Sequence, residues 1–151
     1  MAKAYRVDIR RLDEFSAADL YAMLKMRVDV FVVEQKCPYP ELDGNDPACL
    51  HLRLLDGDDL LGCARLWRPT PEARPHIGRV AVSPHHRGKR LGDALMREAI
   101  AACEHLYPGE AIELSAQAHL RRFYGALGFE PISEEYLEDD IPHIDMRRAA
   151  P

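Results

Sequence analysis

Apolar positions along this chain recur with two periods, and each stretch keeps to one of them. Residues 5–10 alternate, with Tyr5, Val7 and Ile9 on one side, which predicts a first strand. From Ser16 the spacing changes to threes and fours. Leu20, Met23, Leu24, Val28, Phe31 and Val32 share a stripe, so a helix is expected with Ser16 as its N-cap and Asp19 in capping-box spacing. Arg27, Asp29 and Glu34 fall outside that stripe or at its edge. Pro38 and Pro40 end this region, and PYPELDGNDPAC has the composition of a loop. Two apolar runs, 50–56 and 60–67, flank Asp56-Gly57-Asp58-Asp59 and read as a hairpin.

After a link holding Pro69, Pro71 and Pro75, the strand from His76 carries the small apolar Val80, Ala81 and Val82 and stops at Pro84, which has no N–H for a ladder. Leu91, Ala94, Leu95, Ala99, Ala102, Cys103 and Leu106 then recur at helical spacing until Pro108-Gly109. Residues 111–114 predict a short strand. Gln117 to Leu127 predicts a helix closed by Gly128, with Gln117, Leu120 and Tyr124 on one stripe. Residues 129–132 and 143–146 are the last strands, separated by the acidic segment Glu134 to Asp140. The order β-α-β-β-β-α-β-α-β-β is that of an α+β, mixed-sheet fold.

Composition narrows the function. A length of 151 residues, 47% of them hydrophobic, fits one domain over 1–151. The formal net charge of −5 argues against nucleic acid as a general partner. No apolar run approaches the roughly 18 residues of a membrane span, and no N-terminal signal pattern stands out. The four cysteines, Cys37, Cys49, Cys63 and Cys103, are widely spaced without C-x-x-C, so neither a metal cluster nor a disulfide scaffold is expected, and a reduced, cytoplasmic setting fits.

The chemistry concentrates between the strand at 80–82 and the next helix. Arg87-Gly88-Lys89-Arg90-Leu91-Gly92 puts two glycines and three basic residues where a helix begins. Glycine allows close approach of backbone, the first helical N–H groups lack intrahelical partners, and Arg and Lys add charge. That is a cradle for a pyrophosphate; the alternative is a tight, soluble bend. The loop at 38–49 holds Tyr39, Glu41, Asp43 and Asp46. An aromatic residue among carboxylates suits a cationic amine; the alternative is a solvated loop.

These motifs resemble those of the GNAT (Gcn5-related) N-acetyltransferases. The basic loop is similar to their Gln/Arg-x-x-Gly-x-Gly/Ala pattern at Arg87 and Gly92, with Arg90 standing where a glycine is usual. LSAQAHLRRFYGALGFEP resembles the Asn-x-x-Ala-x-x-Phe/Leu-Tyr-x-x-x-Gly-Phe signature, with Gln117 for Asn, Leu120 for Ala, and Phe123-Tyr124 and Gly128-Phe129 matching. RVDVFVVEQKCPYPELDGND is similar, nearly word for word, to the first-helix and substrate-loop segment of the ElaA-like subgroup.

The resemblance implies a mixed central sheet with splayed strands flanked by helices, acetyl-CoA as acetyl donor, an amine acceptor, and no metal. It implies that Arg87, Gly88, Lys89, Arg90, Leu91 and Gly92 hold the pyrophosphate, that the backbone of Val80 and Val82 pairs with pantetheine, and that Gln117, Phe123 and Tyr124 line the donor site. Tyr124 is the implied acid toward the departing thiolate, since a phenol is protonated at neutral pH. The acceptor side falls to Glu34, Tyr39, Asp43, His119 and His143. Glu34 is the first choice of base, Glu113 the second, and His119 and His143 the third. An acyl-homoserine-lactone-synthase-like enzyme, sharing Arg27-x-x-x-Phe31, and a non-catalytic acyl-CoA-binding module are the alternatives. A homodimer is the default assembly for such a fold.

Overall fold

The computed structural model describes residues 5–151. One mixed sheet of eight strands forms the centre. The chain runs β1 (Arg6–Arg11), α1 (Ala17–Val28), β2 (Leu50–Asp56), β3 (Asp59–Trp67), β4 (His76–Val82), α2 (Leu91–Leu106), β5 (Ile112–Gln117), α3 (Arg121–Gly125), β6 (Phe129–Pro131), β7 (Tyr136–Glu138) and β8 (Ile141–Arg148). The strand order is β1-β2-β3-β4-β5-β8-β6, with β7 also on β8. This is the expected α+β arrangement, a mixed central sheet flanked by helices.

Alternation along β2 and β3 sorts their residues onto two faces. Leu52, Leu54, Ala64 and Leu66 pack with Leu95, Met96 and Ala99 of α2 in the larger core. Cys63 and Ala81 pack with Met23, Met26 and Val30 under α1. Gly62 is required where α2 crosses: a Cβ there would lie 3.0 Å from the Ala81 carbonyl oxygen and 3.3 Å from Leu95. Ser16 caps α1 as expected, accepting from the Asp19 N–H.

Four features depart from the sequence reading. The first helix is α-helical only to Val28 and continues as a π-helical turn over Asp29–Glu34, with one residue too many per turn. Arg27, expected at the edge of the buried stripe, is 1% exposed. Gln117 ends β5 and does not open a helix; a 3₁₀ turn at 118–120 separates it from the short α3. The acidic segment 134–140 forms β7 and a tight turn to β8, in which Asp139 and Asp140 both take positive φ, 50° and 62°. A two-residue hairpin turn that matches strand twist needs that left-handed pair.

Candidate functional site

The parallel strands β4 and β5 meet at His76↔Glu113 and form no further ladder pair among the described residues. Beyond that point they diverge. A bulge in β4 helps: Cys63 faces Ala81 but Arg65 faces Gly78, so β4 holds one extra residue there, and Arg79 adopts φ 50°. Past the bulge β4 stays paired with β3 through Cys63↔Ala81 and Gly62↔Val82, but on its β5 side it has no partner strand and borders a cleft of about 1030 Å³.

The cleft collects most of the predicted residues. Val80, Val82, Arg87, Gly88, Arg90, Leu91, Gly92, Gln117, Phe123 and Tyr124, expected on the donor side, line it, as do Glu34, Tyr39, Asp43, His119 and His143, expected on the acceptor side. Lys89 is exposed and stands off the wall, as does Glu113, whose carboxylate is held by Arg147 at 2.8 Å. Gln35, Arg65, Trp67, His76 and Arg79 also line the cleft and were not singled out from sequence. The signal for Arg65 and Trp67 was their i, i+2 placement on one strand face.

At the donor end, Ala94 donates to the Arg90 carbonyl in the first intrahelical bond, which leaves the N–H groups of Leu91, Gly92 and Asp93 without a helical partner. Arg90 is the N-cap of α2 with φ 58° and ψ 28°, the left-handed conformation usually reserved for glycine. The departure from the glycine pattern thus changes the side chain and leaves the backbone path available. Gly92 lies against Phe123, whose ring would be 3.6 Å from an added Cβ.

Tyr124 is 7% exposed, with its ring edge-on to Phe123 and Phe129. Burial pushes its pKa up to about 12, so the phenol keeps its proton at neutral pH. Glu34 forms an ion pair with Arg87 at 2.6 Å. That hydrogen bond holds its carboxyl below the usual range, which makes Glu34 a weak base in this arrangement. His143 stacks on Tyr136, donates from Nδ1 to the Ile141 carbonyl at 2.7 Å, and turns Nε2 toward Glu138 at 3.5 Å. His119 is exposed at the rim.

The acidic loop differs from both sequence readings. It is exposed at Pro38, Pro40, Leu42, Asp43, Gly44, Pro47 and Ala48, but Glu41 and Asp46 are buried and all three carboxylates are already paired. Arg27 meets Glu41 at 2.6 Å and Asp46 at 2.8 Å; Arg65 meets Asp43 at 3.0 Å and Asp46 at 3.3 Å; Arg79 meets Glu41 at 2.9 Å and Asp43 at 3.2 Å. Three guanidinium groups balance three carboxylates. Burial works against ionisation of Asp43, but hydrogen bonds from Arg65 and the Asn45 N–H, with the charge of Arg79, hold its pKa far below the usual range. Tyr39 donates to Glu41; burial first and that bond second push its pKa well up. Among the described residues no group of three or more His, Cys, Asp or Glu is placed to hold a metal ion, and no helix is long and apolar enough to cross a membrane.

Splayed parallel strands leading into a basic loop and a helix N-terminus are the arrangement that the resemblance to acyl-CoA-dependent acyltransferases led us to expect. The chain belongs to the GNAT family: the family profile described as Acetyltransferase (GNAT) domain matches residues 20–150. Within that family it is ElaA-like. Protein ElaA of Escherichia coli (strain K12) is 44% identical over 138 residues, which cover 89% of this chain and 90% of ElaA. The crystal structure of an acyl-CoA N-acyltransferase from Pseudomonas aeruginosa superposes with a TM-score of 0.90 at 45% identity, covering 96% of this chain and 99% of that one. The crystal structure of E. coli ElaA superposes with a TM-score of 0.88 and covers 95% and 99% of the two chains.

Proposed function

We propose that this acyltransferase moves an acetyl group from acetyl-CoA to a primary amine by direct attack within a ternary complex, in a cytoplasmic setting. The observation that carries the reading is the loss of pairing between β4 and β5 beyond His76↔Glu113, next to a helix N-terminus whose first N–H groups are free. An unpaired strand edge binds an amide-bearing arm as an added strand would. Val80 and Val82 supply that edge, and the Arg87 to Gly92 loop receives the pyrophosphate. The left-handed Arg90 keeps the backbone path that a glycine would take, which supports a working pyrophosphate loop.

In the reaction the amine nitrogen attacks the thioester carbonyl carbon. A β4 N–H donates to the oxygen that gains charge. The C–N bond forms, the C–S bond breaks, Tyr124 gives its proton to the departing thiolate, and the resulting phenolate recovers a proton from the nitrogen, whose N–H turns acidic once the C–N bond has formed. An alkylammonium titrates near 10.4, so a neutral amine at pH 7 costs about 4 kcal/mol. Glu34 takes that proton once Arg87 has turned to the pyrophosphate: freed of its partner, the carboxylate returns toward its ordinary basicity. The acceptor therefore arrives after the donor.

The test is thiol release from acetyl-CoA with a panel of primary amines, run on the wild type and Tyr124→Phe. The variant is expected to keep its affinity for CoA and to lose about 100-fold or more in kcat. Unchanged turnover would remove Tyr124 from the acid role. No release with any amine, despite tight acetyl-CoA binding, would favour the binding-module reading.

A further inference from the structure

Three residues where the π-helical turn ends, Glu34, Gln35 and Cys37, reach three different walls of the cleft. Glu34 pairs with Arg87 of the loop before α2, Gln35 accepts at 3.1 Å from the Gln117 carboxamide at the end of β5, and Cys37 donates from Sγ to the Asp139 carbonyl in the β7–β8 turn at 3.5 Å. Gln35 and Gln117 are 82 positions apart in sequence, and both line the cleft. The pair therefore joins two walls of the cleft at the end of β5, which leads through a 3₁₀ turn into the helix that carries Tyr124. The Cys37 contact does not involve the pyrophosphate loop, so it holds the strap two residues from Gln35 even when Arg87 turns to the donor, which limits how far the Gln35 side chain swings aside.

We infer that the Gln35–Gln117 hydrogen bond is the end stop of the acyl pocket and restricts the donor to short acyl chains. The inference rests on the acyltransferase reading above. The physical reason is asymmetric. A two-carbon acyl group beside Tyr124 leaves the two carboxamides joined. A longer chain has to part them, and each then loses a partner in a half-buried place without gaining one, because an alkyl chain offers no donor or acceptor. The family signature covers Gln117, but the partner that makes it a barrier is Gln35, supplied from the π-helical turn.

The experiment is a binding measurement and needs no acceptor. Calorimetric Kd values are determined for CoA, acetyl-CoA and hexanoyl-CoA with the wild type, Gln35→Ala and Gln35→Met. The wild type is expected to prefer acetyl-CoA to hexanoyl-CoA. Gln35→Ala opens the passage and is expected to narrow that preference by about tenfold, equivalent to 1.4 kcal/mol, with little change for CoA itself. Gln35→Met keeps the bulk without the hydrogen bond and is expected to fall between them. A merely structural role for Gln35 would weaken all three ligands alike and leave the ratio unchanged, which overturns the inference while leaving the acyltransferase reading intact. Equal wild-type affinity for the two thioesters overturns it as well. Failure of CoA itself to bind the wild type would sink the acyltransferase reading and this inference with it.

Discussion

Replacing Arg27 by Met tests the charge network that anchors the acidic loop at 38–49. The guanidinium is 1% exposed, and its carboxylate partners on Glu41 and Asp46 are 2% and 6% exposed. Burial opposes its charge, yet the hydrogen bonds of Asp46 and the charge of Glu41 outweigh it and raise its pKa further. Met retains much of the volume and packs against Met23 and Met26, so the loss is electrostatic more than steric. Three arginines against three carboxylates become two against three, and a buried negative charge is left uncompensated. Breaking a buried pair from one side costs about 3–5 kcal/mol. Against a typical total of about 5–15 kcal/mol, that is a large share. For a chain of this length it corresponds to a fall in Tm of about 6–20 °C. Urea unfolding with linear extrapolation measures it, and adding Glu41→Gln to Arg27→Met is expected to restore part of the loss by removing the orphaned charge. A loss under about 1 kcal/mol, or one that Glu41→Gln does not relieve, would refute the view that the network is a closed, mutually neutralising unit.

Arg90→Gly and Arg90→Ala separate backbone from charge at the helix N-terminus. Both remove a cation from the proposed pyrophosphate site and are expected to weaken CoA binding equally, but only glycine relieves the φ of 58°, gaining about 1 kcal/mol and raising Tm by about 2–4 °C. Equal melting temperatures for the two variants would contradict the strain argument. Acidification is expected to destabilise the protein in two stages. Burial lowers the pKa of His51, so below the ordinary value of 6.5 the unfolded chain binds a proton that the folded one refuses, and stability falls. Asp43 and Asp46, both held below 3.8 by their arginines against the effect of burial, contribute stability that is present above that value and lost as pH falls through their depressed pKa values. Urea titrations between pH 3 and 8 check both stages; His51→Gln should flatten the upper one.

Local pattern carried much of this architecture. The Ser16 cap, the Asp56 to Asp59 turn, the strand from His76 and the amphipathic α2 each follow from chemistry within a few residues, and there the structure agrees with the periodicity. The basic loop before α2 was legible for the same reason: a helix N-terminus makes its site from consecutive residues. The burial of Arg27 was not, because a helical stripe records which side chains are apolar and says nothing of carboxylates that fold back from a loop. Residues 51, 53 and 65 tell the same story. An alternating run such as Leu50-His51-Leu52-Arg53-Leu54 is what a half-exposed strand shows, yet His51, Arg53 and Arg65 are all buried, since α1 and the acidic loop cover that face. The neutral state of the loop, the tie between Glu34 and Arg87, and the contact of Gln35 with Gln117 join positions 14 to 82 residues apart. Pairings at such separations depend on how the elements pack, and packing energy is shared among many side chains, so no local stretch encodes them.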